Sequence, residues 1–76
     1  MRIREAIGLK LSEMSLITKI SEQYLLAIEE ENFTTLPEEV FVAGYVAKYA
    51  RSLSLNPTKV TADYMKKYSA WMKGRK

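Results

Sequence analysis

One group of side chains in this sequence has the chemistry to contact a nucleic acid. Gln23 carries an amide that can pair with an adenine edge, and Lys10 and Lys19 carry the positive charge that binds phosphate. The neighbouring Glu22 would oppose a polyanion at close range. The alternative is that Gln23 and Glu22 form a solvated helix surface. The complete candidate set consists of Lys10, Lys19, Ser21, Glu22, Gln23 and Ala27.

A second group has the chemistry of a protein-binding surface. Phe41, Tyr45 and Lys48 follow one another at spacings of four and three, so they share one face of a helix. Aromatic side chains beside a cation are typical anchors at protein interfaces. The alternative is that both rings pack inside the domain, and we expect Phe41 to be partly buried. A separate apolar stripe on the same segment predicts a core-facing side: Val42, Val46, Tyr49 and Leu53.

The composition argues against catalysis. The 76-residue chain has no Cys and no His, which removes the thiol nucleophile, the commonest general base and a common metal ligand. It also has no glycine-rich phosphate loop, so we expect a non-enzymatic domain without metal or cofactor. No apolar run reaches the ~20 residues that span a bilayer, and no signal peptide opens the chain, so we expect a cytoplasmic domain.

The nucleic-acid candidates are positioned by a predicted helix-turn-helix at residues 11–31. A short helix at Ser12–Ile17 is followed by a break, and Ser21 is a suitable N-cap for a second, exposed helix. Ser15 is small and lies where the second helix must approach closely. The predicted shared core of the two helices consists of Met14, Ile17, Ile20, Leu25 and Ile28.

Three further helices are predicted, which makes an all-α domain of five helices over residues 1–73. A stub at residues 2–7 ends at Gly8, a residue suited to a C-cap. The fourth helix spans residues 37–53, with Pro37 at its first position, and Phe33 should tuck under the connection before it. The fifth spans residues 57–72, and residues 74–76 are the expected start of a linker.

Charge is distributed unevenly along the chain. The overall formal charge is +3, but residues 1–36 are net acidic and residues 37–76 are net basic. The basic excess therefore lies away from the helix-turn-helix, and the run at residues 29–31 should oppose phosphate. The basic C-terminal segment around Trp71 suggests either contact with an anionic membrane surface or a core-capping Trp with solubilising lysines.

Several short segments together resemble the helix-turn-helix domain of RodZ-like bacterial proteins, over residues 2–68. They are Ile3–Ala6, Gly8-Leu9, Thr18–Ser21, Tyr24-Leu25, Ala27–Glu30, Leu36-Pro37, Val40–Val42, Gly44-Tyr45 and Tyr49–Arg51. The resemblance implies the fold of phage-repressor DNA-binding domains and a cytoplasmic N-terminal position. It also implies a basic juxtamembrane stretch followed by one membrane span beyond residue 76.

The same resemblance implies a partner, the actin-like filament protein MreB, in the control of cell shape. Phe41 and Tyr45 match the family positions that contact this filament. Ala43 departs from the family, which usually has a basic residue there, and the first helix is a turn or two shorter than expected. Two alternatives remain: a DNA-binding transcriptional regulator that reads with Ser21–Ala27, and a helix-turn-helix module appended to a J-domain protein.

Overall fold

The protein is all-helical in the part of the chain that the structure describes. The structure is a computed structural model, and it describes residues 3–74. The helices are α1 (Ile3–Ala6), α2 (Leu11–Thr18), α3 (Glu22–Glu30), α4 (Glu39–Ser52) and α5 (Pro57–Gly74). α4 is central, because it packs against both α5 and α2, and α2 in turn packs against α3. The predicted all-α class is confirmed.

The turn between α2 and α3 is built from side-chain hydrogen bonds to the backbone. The Ser15 hydroxyl donates to the carbonyl oxygen of Ile20 at 2.7 Å. The Thr18 hydroxyl donates to the carbonyl oxygen of Met14 at 2.7 Å and accepts from the Ile20 N–H at 3.2 Å. Lys19 ends α2 in the left-handed region, with φ of 59°. These bonds satisfy backbone groups that the end of α2 leaves free and set the crossing of the two helices.

The predicted N-cap of α3 is confirmed, and α5 begins at a cap of the same kind. The Ser21 hydroxyl accepts from the backbone N–H of Tyr24 at 3.3 Å, which begins α3. The side-chain oxygen of Asn56 accepts from the backbone N–H groups of Thr58 and Lys59 at 3.0 and 3.2 Å, which begins α5. Such caps fix helix starts locally, so they could be located from the sequence.

The stub α1 is closed by the glycine that the sequence indicated. Gly8 has φ of 76°, a conformation that favours glycine. Its N–H donates to the carbonyl oxygen of Glu5 at 3.1 Å, and the N–H of Leu9 donates to the carbonyl oxygen of Arg4 at 3.0 Å. The chain thereby turns directly from α1 towards α2.

Two predicted helix bounds differ by two residues from those of the structure. α4 begins at Glu39, because Glu38 is its N-cap with an extended backbone, so Pro37 precedes the helix instead of occupying its first position. α5 continues through Gly74, which is therefore helical and not the start of a linker. The rest of the predicted linker, residues 75–76, lies outside the described residues.

The core forms where α4 meets the other helices. Its cluster of buried side chains contains Met14, Ile20, Leu25, Ile28, Val42, Val46, Tyr49, Leu53, Tyr64 and Tyr68. The predicted core-facing stripe of α4 is therefore confirmed. Ile17 is the exception in the predicted core of the helix-turn-helix, because 59% of its surface is exposed. The buried side of α2 is centred on Met14 and Thr18, one turn apart, and Ile17 lies beside that line.

A cluster of aromatic rings joins α5 to the connection before α4. Phe33 lies 5.7 Å from Tyr64, 5.6 Å from Tyr68 and 5.4 Å from Trp71, measured between ring centroids. The Tyr64 hydroxyl also donates to the carbonyl oxygen of Ile28 in α3 at 3.3 Å. Phe33 thus tucks under its connection as predicted, and Trp71 packs in this cluster.

Replacing Phe33 by Ala should lower the free energy of unfolding by about 2 kcal/mol, because three rings of α5 lose a packing partner. Urea denaturation followed by circular dichroism measures the change. Val40→Ala is the matched control, since it removes apolar atoms from a side chain that lies in water. Equal loss of stability in the two variants would contradict the aromatic cluster.

Candidate functional site

The exposed strip of α3 is narrow. Ala27 is 3% exposed and cannot face a partner, so its place among the predicted nucleic-acid contacts is wrong. The physical reason is that buried residues occupy more than half of the circumference of α3, at about 100° per residue. The side chains left exposed on α3 are Glu22, Gln23, Leu26 and Glu30. This strip carries two carboxylates and no cation.

The other predicted nucleic-acid contacts flank that strip. Lys10 and Lys19 are exposed at the two ends of α2, and Ser21 is exposed at the start of α3. The Ser21 hydroxyl is already bonded as the N-cap of α3. The backbone N–H of Lys10 donates to the Glu13 carboxylate at 2.8 Å. Cations available to phosphate are therefore confined to the edges of the helix-turn-helix.

Glu29 differs from its two acidic neighbours because it is buried. Its carboxylate receives two hydrogen bonds from the Arg4 guanidinium, Nε to Oε2 at 2.5 Å and Nη2 to Oε1 at 3.0 Å. The Tyr49 hydroxyl donates to the same Oε2 at 2.6 Å. Arg4 also donates from Nη1 to the carbonyl oxygen of Leu9 at 2.9 Å. One carboxylate therefore links α1, α3 and α4.

This arrangement controls the ionisation of the buried groups. Burial acts to raise the pKa of the Glu29 carboxyl, but the hydrogen bonds from Arg4 and Tyr49 outweigh it and hold that pKa below its ordinary value. Burial, together with the hydrogen bond to Glu29, raises the pKa of the Tyr49 hydroxyl. Near neutral pH the site is thus a carboxylate held by a guanidinium and a neutral phenol.

Three consecutive glutamates at residues 29–31 suggested one acidic surface run, so this role of Glu29 was not predicted. The signal that separates them is register: Glu29 lies four residues after the buried Leu25, on the core side of α3. Glu30 is exposed, and Glu31 forms an exposed ion pair with Lys67 at 2.8 Å.

The second candidate surface is the outer side of α4. Phe41 is 52% exposed, so about half of it is buried, and its neighbour Val40 is 76% exposed. Tyr45 is half-buried, because its ring packs 6.0 Å from that of Tyr24 in α3. Phe41 lies 6.4 Å from Tyr45 between ring centroids, and Lys48 is exposed further along the helix. The two aromatic residues form one contiguous surface on which Phe41 is the more exposed.

The structure brings a cation of the helix-turn-helix next to this surface. A cavity of about 350 Å³ lies between the end of α2 and the second half of α4. It is lined by Ile17, Thr18, Lys19, Lys48, Arg51 and Ser52. Lys19 and Lys48, assigned to separate surfaces in the sequence, therefore border one basic groove. Among the described residues, acidic side chains form no cluster that could hold a metal ion.

Comparison with known proteins identifies the domain type. Residues 1–60 match the helix-turn-helix domain family that is found in RodZ-type proteins. The chain belongs to this family. This confirms the resemblance seen in the sequence, and the family is a non-catalytic type of domain.

A membrane protein of unknown role is among the relatives of this helix-turn-helix domain. The chain is 28% identical over 58 residues to the uncharacterized membrane protein YmfM of Bacillus subtilis (strain 168). The match covers 76% of this chain and 20% of that protein, so the chain spans about a fifth of its relative. No solved structure matches the chain significantly. Across residues 3–74, no helix combines the length and apolar character needed to cross a bilayer.

Replacing Glu29 by Gln should destabilise the domain by about 2 kcal/mol or more at neutral pH, because a largely buried guanidinium loses its charged partner. Since the folded-state pKa of Glu29 is lowered, its stabilisation is present above the unfolded value of about 4.3 and is lost as the pH falls through the folded-state value. The decline in stability on the acid side should therefore be shallower in the variant. Urea denaturation at a series of pH values measures both effects.

Glu30→Gln is the matched control, because this neighbour is exposed on the same helix. It should change the free energy of unfolding by only a few tenths of a kcal/mol, as exposed charges typically do. Coincident pH profiles for the parent protein and Glu29→Gln would show that the buried carboxylate does not stabilise the fold.

Proposed function

We propose that this domain is a non-enzymatic protein-binding module that docks on an actin-like filament of the MreB type through the outer side of α4. The observation that carries the proposal is the exposure of Phe41 beside the half-buried Tyr45. Large apolar side chains that are contiguous on a surface typically mark a site where a partner excludes water. Lys48, one turn beyond Tyr45, adds a charge that can orient the partner.

The choice of partner rests on the family and not on the geometry of the face. Membership in the helix-turn-helix family of RodZ-type proteins favours a filament over other proteins. The similarity to a membrane protein, of which this domain matches 20%, supports a larger parent protein that is anchored in the membrane. In such a parent the domain would connect the membrane to the filament and contribute to the control of cell shape.

Phe41→Ala should weaken filament binding by about 2 kcal/mol, roughly thirtyfold, because the exposed ring would be buried only in the complex. It should lower the free energy of unfolding by less than about 1 kcal/mol, since about half of the residue is exposed to water in the free domain. Tyr45→Ala should weaken binding and also lower stability, because its ring packs on Tyr24. Co-sedimentation with MreB filaments and thermal melts measure the two effects separately.

The control is Leu16→Ala, which truncates an apolar residue of α2 that is 80% exposed and does not belong to the outer side of α4. It should leave filament binding unchanged. If Phe41→Ala co-sedimented as well as the parent protein, this surface would not be the filament-binding site.

DNA binding is the weaker candidate because of the exposed strip on α3. Affinity for DNA depends largely on neutralising phosphates, and this strip presents Glu22 and Glu30 together with Gln23. We therefore expect only weak, non-specific binding to a duplex at moderate salt, measured by fluorescence anisotropy. Sub-micromolar binding that falls steeply with salt and is abolished by Gln23→Ala would instead place the domain among transcriptional regulators.

A further inference from the structure

Three lysines of α5, called the lysine line below, lie along one exposed side of the helix. Lys59, Lys66 and Lys73 follow one another at spacings of seven residues. At about 100° per residue, this spacing returns each side chain to within ~20° of the one before it. The line from Lys59 to Lys73 is roughly 21 Å long. All three residues are exposed, and their ammonium groups form no hydrogen bond or ion pair with the rest of residues 3–74.

The lysine line lies opposite the side of α5 that packs in the domain. Tyr64 and Tyr68, each two residues from Lys66, are buried, which places them roughly 160° away around the helix. Trp71 packs against Phe33 on that buried side and does not belong to the line. Packing inside the domain therefore accounts for Trp71 but not for the lysines.

Small side chains separate the lysines. Ala62, Ser69 and Ala70 are exposed and line an open furrow of about 480 Å³ together with Lys66 and Lys73. Because these neighbours are short, the ammonium groups extend beyond everything that lies between them. A flat surface can therefore contact all three lysines at the same time.

The outer side of α5 carries a net positive charge. Arg51 of α4 borders the neighbouring cavity and adds a fourth cation. Asp63, the one acidic residue of α5, lies one turn after Lys59. It lines a separate cavity on the flank of the helix with Glu31 and Lys67, which form their own ion pair. One carboxylate at the flank does not balance the cations of this side.

We propose that the outer side of α5 lies on an anionic phospholipid membrane, with the lysine line against the headgroup phosphates. Each lysine near such a surface strengthens binding by about fivefold. Its flexible stem lets the ammonium group reach a phosphate without a fixed contact geometry. Three aligned lysines therefore contribute roughly a hundredfold, which makes the attachment of a single domain reversible.

The side chains of this surface favour a membrane over a nucleic acid or an acidic protein. Proteins that recognise DNA or RNA pair with bases or stack on them through amides, guanidinium groups or aromatic rings. The residues between the lysines supply none of these groups: Ala62, Ser69 and Ala70. They also supply no large apolar anchor of the kind that holds a protein partner. A plane of lipid phosphates requires only that the cations share one side.

This inference does not rest on the proposed filament docking. The lysine line shares no residue with the surface formed by Phe41, Tyr45 and Lys48, so the domain can hold a membrane and a filament at the same time. In a membrane-anchored parent protein, contact through α5 would keep the domain against the bilayer.

Replacing Lys59, Lys66 and Lys73 together by Gln should weaken binding to anionic vesicles by roughly a hundredfold, because three cations leave the contact. Sedimentation of the domain with sucrose-loaded vesicles of equal parts phosphatidylglycerol and phosphatidylcholine measures the partition coefficient. Vesicles of phosphatidylcholine alone should bind neither protein. Thermal melts establish that the variant is folded, as expected for exposed side chains.

The matched control replaces Lys10, Lys19 and Lys48 together by Gln, which removes the same charge from exposed positions on other elements. It should weaken vesicle binding less than tenfold. Equal losses in the two triple variants would overturn the proposal, because net charge and not the lysine line would then determine binding. Tighter binding to a DNA duplex than to vesicles at equal phosphate concentration, lost with the lysine line, would identify a nucleic acid as the occupant instead.

Co-sedimentation with MreB filaments separates this proposal from the proposed function. The lysine-line variant should bind filaments as the parent protein does. If vesicle binding did not depend on the lysine line while Phe41→Ala weakened filament binding, the membrane contact would be wrong and the proposed function would stand. If the lysine line bound vesicles but Phe41→Ala left filament binding unchanged, the proposed function would fail alone.

Discussion

The buried carboxylate of Glu29 is the charge on which the arrangement of α1, α3 and α4 depends. An ionised carboxylate in a protein interior is unfavourable unless hydrogen bonds and an opposite charge compensate it. Here Arg4 from α1 and Tyr49 from α4 both donate to it. α1 is too short to be stable alone, so this bidentate contact fixes it on α3. The same carboxylate ties α3 to the inner side of α4.

The attachment of α4 to the other helices determines which of its side chains stay exposed. Its inner side, which includes Val42, Val46 and Tyr49, is fully buried, so α4 is held against α2 and α5, and the Tyr49 hydroxyl joins it to Glu29 of α3. The outer side belongs to the same rigid helix, so Phe41 is exposed while the rest of the domain stays ordered. Tyr45 lies between the two sides, packed on Tyr24. A preorganised surface of this kind loses little entropy when a partner binds.

The helix-turn-helix is structurally complete in this domain. Its turn and caps are intact, yet α3 is covered around most of its circumference and its exposed strip is acidic. A helix-turn-helix geometry therefore does not by itself imply DNA readout, because function depends on the side chains left outside. In this domain α2 packs against both α3 and α4, and Lys19 borders the groove beside α4.

Local features of the sequence were sufficient to predict the helices and much of the core. Ser21 and Asn56 act on their own helix ends, Gly8 supplies a positive φ, and the apolar spacing on α4 identifies its inner side. Each of these effects operates within one or two turns, so neighbouring residues alone determine it. The predicted start of α4 at Pro37 was two residues too early. The extended backbone continues through Glu38, so the helix begins at Glu39.

By itself, the sequence determined which residues share a helix face, and the tertiary structure decided which faces are covered. Ile17 and Phe41 are apolar but exposed, because no other helix packs over them, whereas the charged Glu29 is buried because Arg4 and Tyr49 reach it from distant positions. Coverage depends on how neighbouring helices cross, which is set by packing between residues far apart in the chain.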